Sequence, residues 1–191
     1  MNQYLFLFPI QKYVDACLEK GCGFVRNGHR VSELTDVIDA RYRVNDYEIN
    51  WLFFSDNDDS SKPDLSCIAN GIVIPPEDRK LVAGVSFERH VNKKIYADCN
   101  FVLDQLPFHR RLVLGGFHQF DCVDKVAKVS YERGIDTFVD EDTTELFFAG
   151  RVFYRIPLVR IVWTLEELGL KGVLKEIAKE NRASRPWFVQ E

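Results

Sequence analysis

The stretch RLVLGGFHQFDCVDKVAKVSYERGIDTFVDEDTTELFF, from Arg111 to Phe148, decides how this chain is read. Leu112–Leu114 is a short apolar run that predicts a strand. Gly115-Gly116 opens a tight loop, and Cys122 stands where a helix begins, over Val123 to Arg133. Gly134 ends that helix, and Thr137–Val139 predicts a second strand running into acidic residues. A thiol at a helix start meets free backbone N–H groups and the positive end of the helix dipole. Both favour thiolate, the reactive form of cysteine, so Cys122 is the leading nucleophile candidate.

The same alternation continues outward. Tyr4-Leu-Phe-Leu-Phe8 is a continuous apolar run, which fits a strand covered on both faces. A helix follows over Lys12 to Lys20, stopped by Gly21 and Gly23. Ser32 is expected to cap a second helix carrying Leu34, Val37, Ile38 and Tyr42 on its apolar face. Ile49–Phe54 and Lys80–Phe87 predict strands, and Ile68 to Pro76 a small strand or extended stretch. Tyr96–Leu106 predicts a helix. Val152–Tyr154 and Leu158–Trp163 read as extended, and Leu165–Asn181 as an amphipathic helix. The acidic loop Ser55–Lys62, SDNDDSSK, is the least compact stretch and a candidate lid. Strands alternating with helices predict a single α/β domain over residues 1–191: three layers, α/β/α, around a mainly parallel, about six-stranded, Rossmann-like sheet. Sites in such sheets lie at the carboxyl ends of the strands, just where Cys122 falls.

Composition narrows the function classes. The chain has 191 residues, 46% of them hydrophobic, enough for one good core. A net charge of -4 with mixed signs gives no basic surface for nucleic acid. No apolar run reaches the length of a membrane span, and MNQYLFLFPI lacks the basic start of a signal peptide. Five cysteines without a C-x-x-C pair predict reduced thiols and a cytoplasmic protein. Cys17, Cys22, Cys67 and Cys99 are read as packing residues or free thiols. The expected partner is a small-molecule substrate, with no nucleic acid, no membrane, and a homo-oligomer left open.

Spacing then becomes specific. Gly116 is followed six residues later by Cys122-Val123, with Ala127, Gly134 and Asp142 five, twelve and twenty residues beyond the cysteine. This pattern resembles the second half of the isochorismatase-like hydrolases, the cysteine hydrolases that include nicotinamidases. The first strand, ending in Phe8-Pro9-Ile10-Gln11, is similar to the N-terminal strand of that family. The resemblance implies a parallel sheet flanked by helices and cleavage of a small amide or related C–N bond. It implies Cys122 as nucleophile, the backbone N–H groups of His118 and Cys122 as oxyanion hole, and a cis Phe117–His118 peptide. The family also uses an Asp and a Lys. Pro9 occupies the Asp position, with Gln11 retained, and a proline cannot accept a proton. Lys93 or Lys94, in the segment Arg89–Lys94, falls where the family lysine is expected.

No metal and no cofactor are expected, since Asp56-Asn57-Asp58 has no histidine beside it. Asp121 is read as an N-cap and Asp142 as a structural acceptor. Asp15, Asp56, Asp58, His90 and His118 are the groups whose loop positions could bring a replacement base to the thiol. Without one, the fold would serve as a catalytically impaired binding or scaffold protein.

Overall fold

The computed structural model describes residues 2–19, 31–57, 61–144 and 185–187. Cys22, Asp58, Trp163 and the predicted elements between residues 152 and 181 lie outside the described residues. Five strands form one parallel sheet: β1 (Asn2–Leu7), β2 (Tyr47–Ser55), β3 (Arg79–Ser86), β4 (Arg111–Gly116) and β5 (Asp136–Thr144). Their order across the sheet is β3-β2-β1-β4-β5. The helices are α1 (Gln11–Glu19), α2 (Leu34–Arg41), α3 (Phe87–Lys93), α4 (Cys99–Asp104) and α5 (Asp124–Glu132). The α/β parallel-sheet class read from the sequence is therefore the observed one.

The apolar run of β1 explains its central place. Tyr4, Leu5, Phe6 and Leu7 are all fully buried, so both faces of the strand are covered. Leu5 pairs with Asn50 and Leu114, and Phe6 with Trp51 and Gly115. Burying each such side chain stabilises the fold by about 1.5–3 kcal/mol. The chain runs outward from β1 through β2 to β3, then returns to the other side of β1 for β4 and β5. In open α/β sheets such a reversal marks the usual place for a site, here beyond the carboxyl ends of β1 and β4. Phe8 and Phe117 are the first residues past those ends.

Several local expectations change. Glu33, not Ser32, precedes α2, and no side chain caps that helix. The helix expected from Tyr96 starts only at Cys99, because Asp98 accepts from the N–H groups of Asn100 and Phe101. The segment 87–93, polar enough to read as loop, is α3, with the Ser86 hydroxyl accepting from Arg89 N–H. Residues 68–76 form no strand; Ile68 makes an isolated bridge to Ile10. Among the described residues, no helix is long and apolar enough to cross a membrane.

At the opposite edge, where strands enter the sheet, Arg43 forms a bidentate pair with buried Asp78, at 2.8 and 2.9 Å. The Trp51 indole N–H donates to the same carboxylate at 2.9 Å. A second clasp joins distant sequence. Arg185 and Trp187 both donate to Asp124, the first residue of α5, at 2.9 and 2.8 Å. Val139 N–H donates to the Trp187 carbonyl.

Candidate active site

The site grows from the ends of β1 and β4. Gly116 has φ of +104°, and a Cβ there would run into the Leu7 backbone, so only glycine lets the two strands approach this closely. Phe117 N–H donates to the Leu7 carbonyl at 3.0 Å, and the Phe117–His118 peptide is cis. The chain then makes a π-helical turn, Gln119–Val123, before α5. The His118 carbonyl accepts from Asp121 and Val123 N–H, at 3.0 and 3.2 Å. Asp121 is therefore inside this turn rather than an N-cap. It accepts from the Tyr96 hydroxyl at 3.2 Å and from Lys125.

Cys122 lies in that turn, only 6% exposed. Burial and charge act against the thiolate expected at a helix start. Burial pushes the thiol up from its ordinary value, and the Asp121 carboxylate beside it pushes further. Lys125 and the cysteine's own N–H oppose this without winning. The physical reason is that desolvation of a buried thiolate outweighs one turn of helix-start N–H groups.

The segment Arg89–Lys94 does reach the thiol, but through His90. Lys93 and Lys94 are both exposed. His90, buried on α3, holds its Nε2 3.9 Å from Cys122 Sγ, long for a hydrogen bond to sulfur. Its Nδ1 lies 3.0 Å from the Ile95 carbonyl. A carbonyl only accepts, so Nδ1 carries the proton and Nε2 of the neutral ring turns a lone pair toward the thiol. Burial pulls His90 below its usual range, and Lys94 and Lys125 add to this against the Ile95 carbonyl and Asp121. The resting pair is thus neutral thiol and neutral imidazole.

Aromatic rings enclose it. Phe8, with φ of +59°, stacks on Phe54 at 4.1 Å, and Phe54 lies 5.2 Å from His90. Tyr13 packs on Phe117 and on the His118 ring, at 5.4 and 4.9 Å. Burial pushes the Tyr13 hydroxyl far up.

The remaining predicted positions are accounted for as follows. Pro9 offers only its carbonyl, which accepts from Ala69 N–H at 2.9 Å. Gln11 bridges Asn70 N–H and Asp15, so neither Gln11 nor Asp15 serves the thiol. Asp56 is exposed. Asp142 lies within β5. Lys125 was missed, although its spacing from Asp121 is the i,i+4 signal of a helical ion pair. Tyr96 was missed because it was assigned to a helix.

No family model matches this chain, and no curated protein matches it. Among solved structures, an isochorismatase family protein from Burkholderia thailandensis aligns over 81% of this chain and 88% of that chain. The identity is 14% and the TM-score 0.45.

Proposed function

We propose that the chain is an isochorismatase-like cysteine hydrolase that cleaves a small amide or related C–N bond, with His90 in the role the family gives to Asp. The observation that carries this reading is His90 Nε2 at 3.9 Å from Cys122 Sγ, with Nδ1 held by the Ile95 carbonyl. A nucleophile, a base and a third group orienting the base are the parts of an activated thiol site.

Both partners are neutral at rest, so the proton moves as the bond forms. Sγ attacks the carbonyl carbon while the thiol proton passes to Nε2. The amides of His118 and Cys122 are the proposed donors to the developing oxyanion. The imidazolium then protonates the leaving nitrogen, the C–N bond breaks, and water activated by neutral His90 hydrolyses the thioester. Lys93 and Lys94 have no step here. A working thiol needs a reducing compartment, which fits the cytoplasmic location expected from the sequence.

Intact-mass measurement after mixing with an activated acetyl ester, followed by turnover of a small-amide panel including nicotinamide, tests the reading. An acyl adduct lost in Cys122→Ser is expected. Turnover should fall by roughly 10²–10⁴ in His90→Gln. A second reading rests on Pro9, which removes the family carboxylate, and on the close Phe8–Phe54 stack: a binding protein on the same fold. Absence of both adduct and turnover, with an amide still binding by calorimetry, would favour it.

A further inference from the structure

Residues 95–97 form a strap between α3 and α4. It leaves α3 through Lys94, at φ of +56°, and enters α4 at the Asp98 cap. The contacts of Ile95 and Tyr96 in this strap lead to His90 and to the thiol turn, while the Ala97 carbonyl faces Cys99 Sγ on α4. The Ile95 carbonyl holds His90 Nδ1. The Tyr96 ring stands edge-on to His90, at 4.9 Å and 89°. The Tyr96 hydroxyl donates to Asp121 Oδ2, on the residue next to Cys122. Lys125 pairs with the other oxygen of Asp121 and lies 3.5 Å over the Tyr96 ring. Tyr96, Asp121 and Lys125 therefore close a three-membered cycle, each held by the other two.

We propose that Tyr96 is a positioning residue that bolts the 95–97 strap to the turn beside Cys122 through Asp121 and Lys125, and so sets how far the thiol opens to a substrate. The members of the cycle are partly exposed, with the Asp121 and Lys125 side chains 30% and 43% accessible. An ion pair in such a setting adds little stability. The bolt is thus weak by construction, while the thiol on the next residue is only 6% exposed. A weak tie beside a buried nucleophile opens for a ligand at small cost. The inference deepens the hydrolase reading and rests on Cys122 being the working thiol, but access to the sulfur is measured without turnover.

Iodoacetamide labelling of the full chain, with peptide mapping and Cys67 as internal reference, tests it. Tyr96→Phe keeps the ring and its cation contact but removes the hydroxyl bond to Asp121. Cys122 should label about fivefold faster, the worth of one modest hydrogen bond. Asp121→Ala should also accelerate labelling, through the broken bolt and the lost negative charge. Tyr96→Phe should then add nothing in the Asp121→Ala background, because the acceptor of its hydroxyl is already gone. Tyr96→Ala, checked by thermal melting, should move the pH midpoint of labelling downward as the sulfur is rehydrated. The groups acting on the thiol are Asp121, Lys125, Cys99, His90, Tyr13 and Tyr96. Unchanged labelling in Tyr96→Phe, or the same factor in both backgrounds, overturns the bolt. Labelling as expected with no turnover on any amide leaves the bolt standing and counts against the hydrolase. Turnover with labelling indifferent to Tyr96 does the reverse.

Discussion

The two edges of the sheet are built by opposite rules. Where the strands enter, polar groups are matched: Arg43, Asp78 and the Trp51 indole satisfy one another, and Arg111 pairs with Asp136 across the starts of β4 and β5. Where the strands leave, the matching fails. Ser55 and Thr144, the last residues of β2 and β5, each bury a hydroxyl with no hydrogen-bond partner. Phe8 takes a left-handed conformation, and a thiol and an imidazole meet at 3.9 Å. Buried polar groups are normally paired, and the entry edge has its own exception in the buried Nε2 of His109, so the contrast between the edges is one of degree.

The largest test of that contrast is at the entry edge. Asp78→Ala would strand a partly buried guanidinium and an indole N–H. It should lower unfolding stability by about 3 kcal/mol in a urea titration. Gly116→Ala should cost about 2–3 kcal/mol by the same measurement, because its Cβ meets the Leu7 backbone at a positive φ. That result would show the exit edge to be strict in backbone though loose in polar pairing. Thr144→Val should have the opposite sign and raise stability by about 1 kcal/mol, since it removes an unpartnered hydroxyl at nearly constant shape. A loss there would mean that the hydroxyl is satisfied in solution and the contrast is weaker than described.

The smallest effect lies in acid. His90 is held below its ordinary range. Above about pH 7.5 it is neutral both folded and unfolded and contributes no slope. Below that value the unfolded chain takes the proton first, so stability falls until folded His90 also titrates. Melting temperature against pH should show this acid limb, and His90→Gln should flatten it.

The residues that were legible in the sequence carry their signal locally. Tyr4–Phe8 and Leu112–Leu114 announce central strands because continuous apolar runs need cover on both faces. The spacing from Gly116 to Cys122 announces the turn that bears the thiol. What the sequence hid is non-local. His90, 32 residues from Cys122, is one of five candidate bases in the sequence, and only α3 and the strap, which turn it inward, single it out from the other four. The helix start at Cys122 can be read from the sequence, while the burial that pushes its thiol up cannot. The role of Tyr96 was lost to one misplaced boundary, two residues before the Asp98 cap.

The clasp on Asp124 bears on the order in which this protein is made. Its partner Trp187 lies 63 residues downstream. Synthesis is vectorial, and earlier segments can assemble while later ones are still being added. All five described strands leave the ribosome before Arg185 and Trp187 do. The start of α5, and with it the turn that carries Cys122, therefore stays unclasped while the sheet can already form. The described strands are made first, and the clasp behind the turn that carries Cys122 last.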